Sequence, residues 1–321
     1  MRRVNEQSIL PEGAGHVQRR KRQKWRENAI SALLTLNGLL AVIVVALIFG
    51  YLLRQGYPAL RELGIVEFLT GSRWMPYSPN PGYGALPMIL GSLFVSLAAL
   101  VLAVPWGIAT ALYLAEVASP KVREIVKPVL EIIASVPSVV IGFLALVVVA
   151  PLVARTFGLS NGLTGLTGAI MLGIMALPTI VSISEDALKA VANDYRQAAL
   201  ALGASPWQTM IRVTLPAARS GIIAAVMLGF GRAIGETMTV LMATGNALAV
   251  PLKSIWGIQL PDYLTSVRTL TATIAIEGLE VAWGSLHYHS LFVLGALLFL
   301  ITFSVNLLAD LFLNRSVIGR E

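Results

Sequence analysis

Six long apolar runs limit what this chain can fold into more than any other feature. They occupy residues 29–53, 86–114, 129–150, 164–184, 220–244 and 290–313. Each reaches the roughly 20 residues that an α-helix needs to cross a bilayer. Hydrophobic residues make up 56% of the 321 positions and charged residues only 13%, too apolar a mixture for a soluble domain to bury. The runs are continuous rather than alternating, which excludes a membrane β-barrel. The expected class is all-α, a polytopic membrane protein with six transmembrane helices and no visible part for strands. Pro105, Pro137 and Pro178 fall inside runs and predict kinks. The first run is too long for a signal-peptide core and precedes no small-residue cleavage site, so it reads as retained.

The net charge of +7 follows topology. Arg19-Arg20-Lys21-Arg22, Lys24 and Arg26 crowd the first 28 residues. A nucleic-acid-binding tail is the weaker reading of such a cluster; a basic flank that stays in the cytosol is the stronger one. With the N-terminus inside, residues 1–28, 115–128, 185–219 and 314–321 share one side, and they hold most of the 24 Lys and Arg residues. The layout is then a basic cytosolic tail over 1–28 and a transmembrane domain over 29–321, with both termini in the cytosol. Residues 245–289 form a long outer loop containing an apolar stretch, 270–276, too short to span. No internal repeat is visible. The absence of cysteine excludes disulfides and thiolate metal sites.

The fifth run holds the two charges that lie deep inside a span, Arg232 and Glu236. A charge at mid-membrane costs about 2.5–3.5 kcal/mol on insertion scales and needs water, a partner or an anionic ligand. Four residues apart, the two are expected on one helix face. One reading is a salt bridge that satisfies itself or joins helices. The other is the lining of a solute path, where the planar guanidinium grips an oxyanion. Glu236 would then hold Arg232 between substrates and accept a proton from a protonated oxyanion, while repelling a dianion such as sulfate. Gly231 and Gly235 form a G-x-x-x-G pair, read as a helix-packing notch.

Between the fourth and fifth runs, residues 193–216 read as two short helices crossing at a glycine. Asn193 or Asp194 caps the first, and Gly203 ends it. Ser205 caps the second, with Pro206 at its first position and Gln208 completing an S-x-x-Q capping box. Trp207 and Met210 put apolar bulk on this knob, suited to a groove on another protein. An ordinary surface connector is the plainer reading.

The spacing of this loop resembles the E-A-A loop of ABC-importer permeases, where E-A-A is followed by G and then by I-x-L-P. Here Gln197-Ala198-Ala199 precede Gly203 and then Val213-Thr214-Leu215-Pro216. Gln197 stands where that family carries an acidic residue and Val213 where it carries isoleucine. A narrower resemblance comes from Gly231-Arg232-Ala233-Ile234-Gly235-Glu236-Thr237-Met238 with Gly245-Asn246. This block is similar to the permeases of the phosphate-specific ABC importer, nearest the C-type (PstC) subunit. Trp74-Met75-Pro76, Tyr83-Gly84, Leu86-Pro87, Pro137-Ser138-Val139-Val140 and Leu177-Pro178-Thr179 match as well, so the likeness covers about 70–313. It implies the type I importer fold, with a core at about 86–313 and a coupling loop at 185–219. It implies phosphate import across the bacterial inner membrane by a subunit that is not itself an enzyme. The implied partners are an A-type permease, two ATPase subunits that hold ATP and magnesium, an extracytoplasmic phosphate-binding protein, and lipid. Arg232 and Glu236 would serve the substrate path. Gln197, Ala198, Ala199, Gly203, Ser205, Trp207, Leu215 and Pro216 would receive the ATPase.

No G-x-x-x-x-G-K-[ST] sequence occurs, so no cofactor is expected on this chain. His16, His287 and His289 are scattered; a cation held by His287, His289 and Glu280 is weaker than an outer-loop surface. Tyr77, Tyr83, Trp256 and Trp283 suit an interfacial aromatic belt. Two functional alternatives stay open: another oxyanion (sulfate, molybdate or phosphonate), and an ion-driven secondary transporter with Arg232 and Glu236 as a charge relay.

Overall fold

A computed structural model describes residues 13–255 and 258–318, and side chains from Glu27 to Leu311 apart from Ala29 and residues 254–258. The side chains of His16, of the basic cluster at 19–26 and of Arg315, and all of Trp256 and Arg320, lie outside the described set. The chain divides into two compact units, 1–51 and 52–321.

In the first unit, helix α1 (Gly13–Leu63) runs through the expected boundary at 28/29 without a break, and its apolar side chains from Ile30 to Val45 are exposed. The second unit begins inside the same helix. It continues with α2 (Ile65–Thr70), a hairpin of β1 (Trp74–Met75) and β2 (Gly82–Tyr83), and α3 (Leu86–Leu112). Next come α4 (Pro120–Ser135), α5 (Ser138–Leu144), α6 (Ala150–Phe157) and α7 (Gly165–Lys189). The short helices α8 (Asn193–Ala201), α9 (Pro206–Thr209) and α10 (Leu215–Ala217) lead into α11 (Arg219–Gly235) and α12 (Met238–Ala243). A second hairpin, β3 (Leu252–Ile255) with β4 (Ile258–Pro261), precedes α13 (Leu270–Glu277) and α14 (Leu286–Ile318). The two hairpins are the strands the apolar pattern did not show. Wide turns closed by i→i+5 bonds at Tyr113–Val117, Ala145–Val149 and Met210–Thr214 interrupt three helical stretches.

Among the described residues, five segments are long and apolar enough to cross a membrane alone: Ile30–Leu63, Leu86–Val117, Ser138–Phe157, Gly165–Lys189 and Leu286–Leu311. The sixth is the bent pair Pro206–Ala217 and Arg219–Gly235, which meet at 67°. Two expected spans change. The run 129–150 is cut at Val136–Pro137, where the backbone is extended (Val136 ψ 127°) because the residue before a proline avoids the α region. Its first part joins the preceding charged residues in the amphipathic α4, none of whose side chains is buried. The run 220–244 is broken between α11 and α12.

Helices α3 and α7 run parallel and form the centre of the second unit. Small residues let them approach: a Cβ on Gly107 would lie 2.7 Å from Ile180, and one on Gly173 would lie 3.2 Å from the Ala99 carbonyl. Helix α11 returns antiparallel on α7, with Gly221 against Ala187 and Gly229 against Ile180. The α8–α10 turn and the β1–β2 hairpin therefore sit at opposite ends of this unit. At the hairpin end, Trp74, Phe68, Met88, Leu270 and Leu294 form a fully buried cluster. Tyr83 lies edge-on to Trp74 at 5.9 Å rather than in a surface belt, and burial, then the Glu62 carboxylate, raises its phenol above the ordinary value.

Candidate functional site

Arg232 sits in the last turn of α11, and Glu236 lies just beyond it. The helix ends at Gly235, and Glu236 is extended (φ −70°, ψ 133°), so the shared face expected from a four-residue spacing does not form. Glu236 turns to the next helix, where its Oε1 accepts the Thr239 N–H at 3.4 Å and offsets an orphan donor of α12. Its carbonyl accepts from Thr271 Oγ1 at 2.8 Å. Arg232 is exposed, and its Nη2 donates to the Ala134 carbonyl at 3.4 Å, at the end of α4. Among the described residues no carboxylate pairs with it.

The break at Val136–Pro137 lies beside the one at Glu236–Thr237. Thr239 Oγ1 donates to the Ser138 carbonyl at 3.1 Å, and Gly142 is close enough that a Cβ would come within 3.1 Å of the Met238 carbonyl. Two interrupted helices thus place polar backbone next to an uncompensated guanidinium. Of the glycine pair, Gly231 faces Asn306 of α14, whereas a Cβ on Gly235 would meet nothing within 4 Å and the residue is exposed. The notch expected at Gly235 has no neighbour among the described residues.

At the far end, residues 193–216 form the two short helices the sequence reads, but Asn193 and Asp194 lie inside the first turn of α8, whose N-cap is Ala192 with no side-chain cap, so the expected cap does not form. Gly203 adopts φ +83°, a left-handed conformation that favours glycine at a helix end. The capping box is complete, with the Gln208 N–H on Ser205 Oγ at 3.2 Å and the Ser205 N–H on Gln208 Oε1 at 2.9 Å. The exposed apolar bulk differs from expectation. Trp207 is 67% exposed and Leu202 90%, but Met210 is only 7% exposed and packs inward. Gln197, Ala198 and Pro216 are exposed, while Ala199 and Leu215 are half-buried.

Charges that spacing did not single out fasten this turn to the bundle through Arg196 and tie the neighbouring helix ends to one another. The Arg196 guanidinium pairs with Glu116 at 2.8 Å and donates to the carbonyls of Leu188 (2.8 Å), in the last turn of α7, and Val191 (2.6 Å), just beyond it. Glu185, buried in α7, pairs with Lys127 at 3.2 Å and with Lys189. Arg123 donates to the carbonyls of Leu114 and Ala115 at 2.6 and 2.9 Å. Cations at these C-terminal ends satisfy orphan carbonyls and oppose the helix dipole. The signal was present as basic residues flanking helix ends, but their partners are distant in sequence.

His287 pairs with Glu277, not Glu280, at 2.8 Å, and His289 Nδ1 lies 2.6 Å from the Gln55 carbonyl. Among the described residues no group of three or more metal-ligating side chains gathers.

Long apolar helices, two of them interrupted beside a guanidinium, and a protruding helical turn define a polytopic helical membrane permease. The chain belongs to the family of binding-protein-dependent transport system inner membrane components, whose model matches residues 103–317. It is 33% identical over 297 residues to the phosphate transport system permease protein PstC of Mesorhizobium japonicum, covering 86% of this chain and 87% of that one. It is 36% identical over 243 residues to the probable ABC transporter permease protein YqgH of Bacillus subtilis, covering 76% of each. In fold it resembles a bacterial ABC transporter involved in the import of alginate, with TM-score 0.58 and 18% identity over 93% of this chain and 100% of the other.

Proposed function

We propose that this chain is the C-type permease subunit of an ATP-driven importer of inorganic phosphate. The observation that carries the transport reading is the Arg232 guanidinium, exposed beside two helix breaks and paired with no carboxylate. Phosphate as cargo is supported by the likeness to PstC relatives. Arg232 supplies a bidentate grip on the oxyanion. Glu236 keeps one carboxylate oxygen on Thr239 and offers the other to a proton that phosphate carries and sulfate lacks.

The face bearing Arg232 and Gly235 is closed by a second, A-type permease, so the path lies between the two. The turn built by Gln197, Ala198, Ala199, Gly203, Ser205, Trp207, Leu215 and Pro216 lies in the cytosol with both termini. There it enters a groove on one of two ATPase subunits that carry ATP and magnesium. Trp207 and Leu202 are the anchors; Gln197 gives the contact no ion pair. A phosphate-binding protein docks at the β1–β2 end. Arg196 and Glu116 transmit movement of the turn to α3 and α7, opening the path to alternate sides.

The test is phosphate uptake with competitors and without the ATPase. Uptake that stops when the ATPase is lost, and that resists excess sulfate and molybdate, is expected. Uptake that survives loss of the ATPase but collapses with the ion gradient would overturn the reading.

A further inference from the structure

A buried carboxylate sits at the hairpin end. Glu277, the last residue of α13, is 6% exposed. Its two oxygens accept from Trp74 Nε1 at 3.2 and 3.0 Å. Arg268 Nη1 donates to it at 2.7 Å, and His287 Nε2 lies at 2.8 Å. These partners come from β1, from the segment entering α13, and from α14. A buried carboxylate held this way is hard to displace, because losing one partner leaves charge uncompensated.

The other end of α13 reaches the charged break. Thr271 Oγ1 donates to the Glu236 carbonyl, one of the acceptors that the end of α11 leaves unsatisfied. Thr269 caps α13 through the Ala272 N–H at 3.2 Å, and the Leu270 N–H donates to Ser92 Oγ at 2.8 Å. Thr271 and Glu277 lie roughly 9 Å apart along this single short helix. The Arg268–Glu277 pair ties the segment entering α13, two residues before its first, to its last residue, a strut that stiffens the element. On the hairpin, Tyr77 is 68% exposed and lies edge-on to His287 at 5.0 Å, so a partner touching Tyr77 presses on the same network.

We propose that Trp74, Glu277 and Thr271 are positioning residues, forming a rigid link by which a protein docked on the β1–β2 hairpin sets the backbone at Glu236–Thr237 and so the presentation of Arg232. The inference rests on the importer reading and assigns a part to residues 245–289. A docked partner that favours one position of Trp74 favours one position of α13, and Thr271 either holds or releases the Glu236 carbonyl. The link touches neither cargo nor nucleotide; it changes how strongly docking alters the centre.

The experiment uses the complete importer in proteoliposomes and reads ATP hydrolysis with and without phosphate-loaded binding protein. Trp74→Phe keeps an aromatic ring and removes the N–H; Glu277→Gln keeps the shape and removes the charge. Both are expected to leave the basal rate unchanged and to cut the stimulated increment about fivefold or more, the scale of ordinary site-to-site coupling. Trp74→Phe combined with Thr271→Val is expected to lose no more than either alone, because both act through one element. Full stimulation in Trp74→Phe, or losses that multiply in the double variant, would overturn the link. Should Glu277→Gln fail to assemble, the Trp74→Phe and Thr271→Val pair decides. A wild-type complex that the binding protein does not stimulate would remove the importer reading and this proposal with it; a stimulated wild type with unaffected variants removes this proposal alone.

Discussion

Arg232 and Glu236 are separated by a helix end: α11 stops at Gly235, and the Glu236 carboxylate serves the Thr239 N–H of the next helix instead of the guanidinium. For the proposed path this matters, since an ion pair would neutralise the arginine assigned to the anion. Capping keeps the carboxylate occupied nearby, and the guanidinium stays available to an anion.

The two duties of Glu236 separate by substitution. Glu236→Gln keeps an acceptor for the Thr239 N–H, whereas Glu236→Ala removes it. The glutamine variant is expected to assemble normally and transport phosphate with weakened discrimination against sulfate. The alanine variant is expected to lose about 1 kcal/mol of stability as well, the usual loss for a missing cap. Competition uptake and melting in detergent read the two effects, and unchanged discrimination in the glutamine variant would refute the proton-acceptor role.

The docking proposed for the α8–α10 turn depends on what the turn exposes. Trp207→Ala is expected to weaken co-purification of the ATPase by about 2 kcal/mol, roughly thirtyfold, with the permease still folded. Met210→Ala is expected to behave differently: its side chain is buried, so about 2 kcal/mol or more of permease stability is lost instead. Pull-down titration with a parallel melting curve distinguishes them, and equal effects of the two variants would contradict the assignment.

In the proposed mechanism, transmission from the turn runs through Arg196. Arg196→Gln removes the pair with Glu116 and the donors to Leu188 and Val191. ATPase subunits are expected to bind it as before, while phosphate moved per ATP hydrolysed falls severalfold, about the loss that one charged, hydrogen-bonded contact represents. Glu116→Gln should reproduce part of this loss, and the double variant should add little. An unchanged transport ratio in Arg196→Gln would remove the clamp from the mechanism.

How legible was this in the sequence? Signals carried by neighbours were readable. The Ser205–Gln208 capping box and the Gly203 turn are local chemistry, and both stand as read. The apolar runs declared the membrane class because burial leaves no other home for them. The break after Gly235 was hidden, since no proline marks it; its supports are the Glu236 cap and a hydroxyl from Thr271, thirty-five residues downstream. Pro137 was visible, yet not that it would release residues 120–135 as an amphipathic helix. The sequence offers His287 a cation site with His289 and Glu280, but the fold pairs it with Glu277, which it shares with Trp74. Met210 lies on the inner side, 7% exposed, while Trp207 three residues earlier is 67% exposed; local spacing does not say which of the two faces the bundle.

The parallel contact of α3 with α7 rests on missing side chains. Gly107→Val would drive new atoms into Ile180, where a Cβ alone already comes to 2.7 Å. Overpacking of this kind costs about 1–3 kcal/mol. Membrane abundance is expected to fall, and Ile180→Ala should restore part of it. Normal abundance of Gly107→Val without compensation would show that the helices do not meet there.

Radiolabelled phosphate uptake by wild type, Arg232→Lys and Arg232→Leu at matched membrane abundance asks most directly whether the guanidinium at the helix break handles the cargo. Uptake at background in Arg232→Leu and intermediate in Arg232→Lys, which keeps charge but loses the fork, is the predicted result. Uptake by Arg232→Leu equal to wild type would contradict it.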